Sequence, residues 1–381
     1  MIFKSFQTSI PDAYRAGIAI GEALESTTPE VILLFCTNDY LPALSDLLEG
    51  VREAAGANPL ICGCSSDGIY EASGMAHNGV CALAINSEGK GDFKAALVQG
   101  VQADSLNAAR TAATEAIANL RLPATSAFVV ADGCKADGYQ LVAGLNLALS
   151  VPFFGGLAAD DRKFERTVVF LNEEIAEDAV MVLAVGGVPI SVSTASGWCP
   201  VGDVGRITKA DGKILNEIDG ASAAAFVKGQ TGKTIGRMDL GITALAEFPD
   251  NQSDTFTLRS SASTDEETGQ VTLFGGVSEG SRVQVCRTSI DHILSGVSEA
   301  VAGAKHAGIT PKAAIIVSCA GRKWVLTESG AEEVRMAVKE LGGIPFVGMP
   351  SFGEIGPFQR NAAYSPGMFH NVSFVVALIG E

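Results

Sequence analysis

A chain of 381 residues exceeds one ordinary hydrophobic core and points to about two domains. Hydrophobic residues make up 47% of it and charged residues 18%, enough apolar surface for a large globular core, yet no run of about 18 apolar residues is present to span a bilayer as a helix. The formal net charge of −16 excludes nucleic acid and anionic lipid as expected partners, because the summed field repels phosphate and no Lys/Arg cluster overrides it.

Met1–Pro11 has neither a basic n-region nor an apolar h-region, so no secretory signal is read and a cytoplasmic location is expected. The eight cysteines mostly sit inside apolar runs such as Phe35–Cys36 and Val80–Cys81–Ala82. With no C-x-x-C pair and no Cys/His zinc spacing, they read as reduced, buried thiols.

In chain order, Val31–Cys36 (VILLFC) predicts a strand buried on both faces, followed by a helix over Asp39–Ala55 with Leu44, Leu47, Leu48 and Val51 on one stripe. Strands are predicted at Pro59–Cys62, Val80–Ile85 and Phe93–Val98, then an alanine-rich helix over Ser105–Leu120. A second unit opens with the strand Ser126–Ala131, continues through a helix over Asp137–Leu149 and the strand Val151–Phe154, and closes with strands Arg166–Leu171 and Ala179–Val185. Val201–Asp219 alternates like a hairpin with Asp211–Gly212 at its turn, and Ala221–Lys228 reads as a short helix. Pro249–Gly269, polar and turn-rich, predicts an exposed excursion, and Thr288–Ala307 an amphipathic helix. A third unit comprises the strand Ala313–Val317, a helix over Ala331–Leu341, the strand Ile344–Val347 and the closing strand Asn371–Ile379.

The units correspond in spacing. Cys36, Asp132 and Cys319 precede the turn glycines Gly63, Gly155 and Gly348 by 27, 23 and 29 positions, and Gly155 and Gly348 precede Glu177 and His370 by the same 22. The expected fold is therefore α/β: mixed sheets built from repeated strand-helix-strand units in two domains, 1–219 and 220–381.

The strand-end loops carry a recognisable set of segments: Gly63–Cys64–Ser65–Ser66–Asp67–Gly68, Phe154–Gly155–Gly156–Leu157–Ala158–Ala159–Asp160–Asp161, Gly197–Trp198, Glu217–Ile218–Asp219–Gly220, Ser318–Cys319–Ala320–Gly321–Arg322, Gly353–Glu354–Ile355–Gly356–Pro357 and Phe369–His370–Asn371. In this order they resemble the FIST family of bacterial sensory proteins over nearly the whole chain. Ala320 departs from the family pattern, which often has Asn there, and Lys323 stands where it often has Gly. The resemblance implies a stand-alone cytoplasmic sensor that binds a small ligand, with amino acids the usual proposal, and relays to a separate signalling protein such as a histidine kinase. One branch of the family resembles haem proteins that sense nitric oxide, which makes haem a candidate cofactor and His370 its candidate axial ligand.

In open α/β sheets ligands sit beyond the carboxyl ends of the strands, where Ser318, Cys319 and Arg322 fall here. The Arg322 guanidinium suits a carboxylate, either a ligand's or that of Glu354, which the glycine turn through Gly353 brings close. Glu354 and Asp160 suit a ligand ammonium; the competing reading has Asp160 and Asp161 satisfying turn amides. His370 either bonds a ligand or, as the matching His77–Asn78 pair suggests, ties a strand entry to a neighbouring turn. An enzyme is not expected: there is no P-loop, no G-x-G-x-x-G after a strand and no H-E-x-x-H, although Cys319 at a strand-to-helix turn offers a candidate nucleophile. Ligand binding is expected to order the loops around Arg322, Glu354, His370 and Asp160 and to shift one domain against the other.

Overall fold

Val31–Cys36, Ala124–Ala131 and Pro311–Cys319 carry almost uninterrupted apolar runs because each lies inside a sheet covered on both faces. A computed structural model of the chain describes residues 1–56, 58–234, 243–248, 255–306, 308–360 and 363–381. Three sheets, each built around one of these strands, repeat one plan. The first runs Ile2–Thr8, Val80–Asn86, Val31–Cys36, Leu60–Ser65, then the hairpin Val169–Leu171 and Glu174–Ala176. The second runs Asp92–Gln99, Ala179–Gly186, Ala124–Ala131, Phe153–Leu157, then Glu354–Gly356 and Met368–His370. The third runs Ile190–Ala195, Phe374–Gly380, Pro311–Cys319, Phe346–Ser351, then Ile69–Glu71 and Gly74–Ala76.

In each sheet the central pair is parallel, as in Val31–Cys36 against Leu60–Ser65, and a helical crossover joins it. The last two strands of each sheet come from a different unit: the second unit completes the first sheet, the third completes the second, and the first completes the third. The repeat read from the sequence is thus present, and the units are locked in a ring by exchanged strand pairs. No unit finishes its own sheet.

Each sheet carries helices on its outer face. Ala13–Glu25 and Leu44–Ala54 cover the first, Val101–Ala118 and Gly138–Ala148 the second, and Ile290–Lys305 and Gly330–Leu341 the third. The first helix pair packs backbone to backbone: a Cβ on Gly17 would stand 2.2 Å from the Leu47 carbonyl oxygen, so only glycine fits. The inner faces of all three sheets share one core that includes Phe35, Phe128, Phe154, Met181, Ile315 and Met349. Phe128 meets Phe35 edge-on at 6.1 Å and Phe154 at 5.5 Å, which ties the first two sheets together at the centre.

A fourth body separates the second and third units. Cys199–Asp211, Arg282–Arg287, Ala244–Phe248, Thr257–Thr264, Val271–Leu273 and Ile214–Ile218 pair antiparallel in that order, and Cys199–Asp211 also pairs with Ile214–Ile218. Six strands therefore close into a small barrel filled by residues such as Leu215, Leu245, Val271 and Val285. Its Asp211–Ile214 corner, with Gly212 at φ +55, is the hairpin the alternation predicts.

The exposed excursion expected over Pro249–Gly269 needs correction. Residues 249–254 lie outside the described residues, but Thr257–Thr264 is a barrel strand whose first five residues are buried. Its serines and threonines read as loop, yet they sit on a strand pressed against the third unit. Among the described residues no helix is long and apolar enough to cross a membrane.

Candidate functional site

Five of the seven recognisable segments come together where the carboxyl ends of the three central strand pairs meet, while Gly197–Trp198 lines a separate cleft and Glu217–Gly220 forms a corner of the barrel. Ser65–Asp67 leaves the first sheet, Asp160–Phe164 the second, and Cys319–Trp324 with Ser351–Glu354 the third, while the barrel adds Ser260 and Phe274 from the side. Between them lies a pocket of about 40 Å³, room for a few waters or one end of a small ligand. Its walls are the rings of Phe164, Phe274, Phe352 and Trp324, with Cys319 and Asn371 at the back.

The outer wall is built around Asp160. This carboxylate is fully buried and accepts three backbone N–H bonds, from Phe164 (2.8 Å), Glu165 (2.6 Å) and Arg166 (2.9 Å). Wrapping so many amides onto one carboxylate bends the chain tightly, and Asp161, Arg162 and Phe164 all take left-handed backbone with φ between +56 and +62. The turn-amide reading of Asp160 is the one the geometry bears. Asp160 positions two neighbours and is itself enclosed. Phe164 stacks on Phe352 at 4.3 Å and on Phe274 at 5.8 Å, yet stays 43% exposed, so it closes the pocket from solvent.

Arg162 stands at the rim, its guanidinium 4.4 Å above the Trp324 ring and its Nε 3.3 Å from Asp67 Oδ2. Asp67 is fully buried and also receives Lys323 Nζ on Oδ1 (2.8 Å) and on its own carbonyl (2.7 Å). Burial pushes the Asp67 carboxyl above the usual carboxylate range, opposed by Lys323 and then Arg162. Lys323 thereby has a defined role: it ties the third unit to the first through one ion pair. Each of the three units contributes one member of this Asp67–Arg162–Lys323 cluster. Ser260 Oγ, buried beside the pocket, has no hydrogen-bond partner among the described residues.

Glu354 lies behind the pocket, fully buried, accepting from Ser351 Oγ (2.7 Å) and from the Ser373 amide (3.0 Å). Burial raises its pKa to about 8, so at neutral pH it is mostly a neutral acid and offers an ammonium no full charge. The Cys319 thiol is pushed well above its ordinary range, chiefly by burial and then by Glu354. That is the opposite of an activated nucleophile. Gly353 is a packing position, since a Cβ there would fall 2.3 Å from the Phe369 ring, and its carbonyl accepts from the Leu157 amide at 2.8 Å.

Arg322 is placed otherwise than expected. It does not pair with Glu354 and does not face the pocket. It is fully buried, and its Nε donates to Glu333 Oε1 at 2.8 Å, from the helix Gly330–Leu341. Its other nitrogens hold the Ser196 carbonyl and the Ile293 carbonyl (2.9 Å). Ser318 Oγ joins at 2.7 Å and Tyr70 Oη at 3.0 Å, both on Glu333 Oε2. Arg322 and Ser318 therefore belong to a buried network that runs from the loop at Ser196 to the first unit's exchanged hairpin.

His370 likewise ties a turn. It is 2% exposed, its Nε2 bonds the Gly356 carbonyl at 3.0 Å, and its ring meets Phe358 edge-on at 5.0 Å. Burial lowers its pKa to about 4, so it is neutral at pH 7. A carbonyl only accepts, so Nε2 carries the proton and Nδ1 is the free acceptor. Axial ligation of haem through Nε2 would require breaking this buried hydrogen bond, which leaves Nδ1 as the one ring nitrogen open to a ligand. Among the described residues no group of three or more His, Cys, Asp or Glu side chains is arranged to hold a metal ion.

Comparison with known proteins places this geometry. Residues 30–221 match the FIST N domain and residues 214–357 the FIST C domain. The chain belongs to the FIST family. FIST proteins are signal-transduction sensors, and of the segments that identify the family Ser318–Arg322 and Phe369–Asn371 reach the pocket wall itself. An uncharacterized protein of Methanocaldococcus jannaschii is 26% identical over 234 residues, which span 58% of this FIST chain and 44% of that protein. A cyanuric acid hydrolase from A. caulinodans shares 9% identity at a TM-score of 0.40, over 100% of this chain and 99% of its own. PurL from T. maritima, complexed with ATP, shares 12% identity at a TM-score of 0.22, over 99% of this chain and 71% of that one. Both likenesses are too loose to bear on this FIST chain's chemistry.

Proposed function

We propose that this FIST protein binds a small organic acid with an apolar body, such as an apolar amino acid, in the pocket at the junction of its three units. The observation that carries the reading is Arg162: a rim guanidinium over an aromatic-walled pocket, held by only one carboxylate contact at 3.3 Å. Its planar fork suits a ligand carboxylate, the rings suit an apolar side chain, and the unpartnered Ser260 hydroxyl with the Asn371 side chain suits a polar group at the far end. Phe164 swings outward to admit the ligand, because the space of about 40 Å³ enclosed in its stacked position holds only one end of such a molecule.

Binding is read out through the shared walls. Residues from three units line or support the pocket, so a ligand that draws Arg162 off Asp67 alters the contact between the first and second units. A separate signalling protein, of the histidine-kinase kind, receives that change at the surface. Catalysis by Cys319 is not favoured, because its buried thiol is held protonated.

The test is calorimetric titration of the protein with leucine, phenylalanine and 3-phenylpropanoate, repeated on Arg162→Gln. The reading expects saturable binding of at least one of them, weakened tenfold or more in the variant. No binding by any of the three, or equal affinity in Arg162→Gln, overturns it.

A further inference from the structure

A second and larger cavity lies outside the junction. It is a cleft of about 570 Å³ between the loop through Ser196, the helix Ile290–Lys305, the barrel strand Thr257–Thr264 and the final strands around His370. Three aromatic side chains line it: Trp198, Phe256 and Phe358. Its polar lining is rich in acceptors. Glu299 is exposed at the rim and has no ion-pair partner among the described residues, and Ser295 Oγ, which donates to the His292 carbonyl, keeps its lone pairs. His370 lines the same cleft, and with its Nε2 proton given to Gly356 its remaining ring nitrogen only accepts. None of the described side chains that line the cleft is a lysine or arginine, and Arg322, behind the wall, has its charge matched by Glu333.

A carboxylate, an imidazole acceptor and aromatic faces in one concave site select for a cation with an apolar body. We propose that this cleft binds an organic ammonium ion, with Glu299 receiving the charge, His370 accepting one N–H bond and the aromatic rings packing on the hydrocarbon. The site differs from the junction pocket in position and in sign: one offers a guanidinium to an anion, the other a carboxylate to a cation.

The cleft is also joined to the rest of the chain. Arg322 grips the Ser196 carbonyl on one wall and the Ile293 carbonyl on the other, and its partner Glu333 holds Tyr70 of the first unit. An occupant that spreads or closes these walls therefore acts on a buried charge network that spans two units.

The experiment is calorimetric titration at pH 7 with 2-phenylethylammonium, set beside 3-phenylpropanoate, on the wild-type chain, Glu299→Gln and Arg162→Gln. Glu299 is exposed, so its amide variant folds. The inference expects saturable binding of the amine, weakened at least tenfold in Glu299→Gln and unchanged in Arg162→Gln. Binding of the carboxylate responds in the reverse pattern, so failure of this site is distinguishable from failure of the junction site. No saturable heat with the amine, or an affinity unchanged in Glu299→Gln, overturns the assignment.

Discussion

Replacing Glu354 by glutamine keeps its shape and most of its hydrogen bonds while removing its titration. In the fold, burial holds this carboxyl at about 8, against an ordinary value of 4.5. A raised folded pKa stabilises the fold fully below the unfolded value, and that stability is lost as pH climbs through the folded one. Across the whole window the loss is about 5 kcal/mol, at ~1.4 kcal/mol for each pH unit between the two values, and about 2 kcal/mol of it falls between pH 6 and pH 8. The Ser373 amide, Ser351 and Cys319 pull the other way, and the value of about 8 is what burial leaves after them. Urea unfolding of the wild type and Glu354→Gln at half-unit steps from pH 5 to pH 8.5 measures the difference directly. The wild type loses stability relative to the variant as pH rises, the divergence growing steadily until it levels off above the folded pKa. Parallel curves for the two proteins would show that Glu354 is ionised throughout and would refute the reasoning from burial.

The other buried groups make their own predictions. His370, lowered by burial from 6.5 to about 4, contributes stability that is present above pH 6.5 and lost as pH falls through 4, so His370→Gln should flatten the acid limb of the same urea series. Arg322→Met strands the Glu333 carboxylate and should cost about 3–5 kcal/mol in urea unfolding, with part of the loss recovered in the double variant Arg322→Met/Glu333→Leu. Asp160→Ala frees three amides from a charged acceptor and should cost about 2–4 kcal/mol, whereas Asp161→Asn, at an exposed left-handed position, should stay within about 0.5 kcal/mol. If haem were bound through His370, a Soret band in protein from haem-supplemented cells would vanish in His370→Ala; an Nε2 already bonded to the Gly356 carbonyl predicts no such band.

The threefold plan was legible because buried strands carry it openly: VILLFC, SAFVVA and the closing strand FVVAL are short, apolar and rich in β-branched and aromatic residues, and the glycine spacing repeats with them. The exchange of strands between units was not legible. Ile69–Glu71 and Gly74–Ala76 are three residues each, too short for a period, and the sheet strand that Ile69–Glu71 joins lies more than 270 positions away. The barrel strand Thr257–Thr264 was hidden for a different reason: its hydroxyl side chains are buried, and polarity alone suggests a loop.

At the site, strand ends correctly mark the loops that converge, but the roles within those loops fall a few residues away from where the sequence puts them. Nothing local marks Arg162; its position follows from Asp160 gathering the amides beyond it. Glu333 did leave a signal. It sits on the buried stripe of its helix with Val334, Ala337 and Leu341, and a glutamate on an apolar stripe asks for a buried cation. Arg322, eleven residues earlier, is that cation.

Tryptophan emission tests the central claim most directly, because the chain has two tryptophans and only Trp324 lines the junction pocket. Titrating the carboxylate ligand that binds best, 3-phenylpropanoate or an apolar amino acid, into the wild type, Trp198→Phe and Trp324→Phe separates the two sites. The account predicts a saturable change in emission that survives in Trp198→Phe and is lost in Trp324→Phe. A ligand whose signal instead disappears with Trp198 and persists without Trp324 would place the sensing site in the cleft and contradict the account.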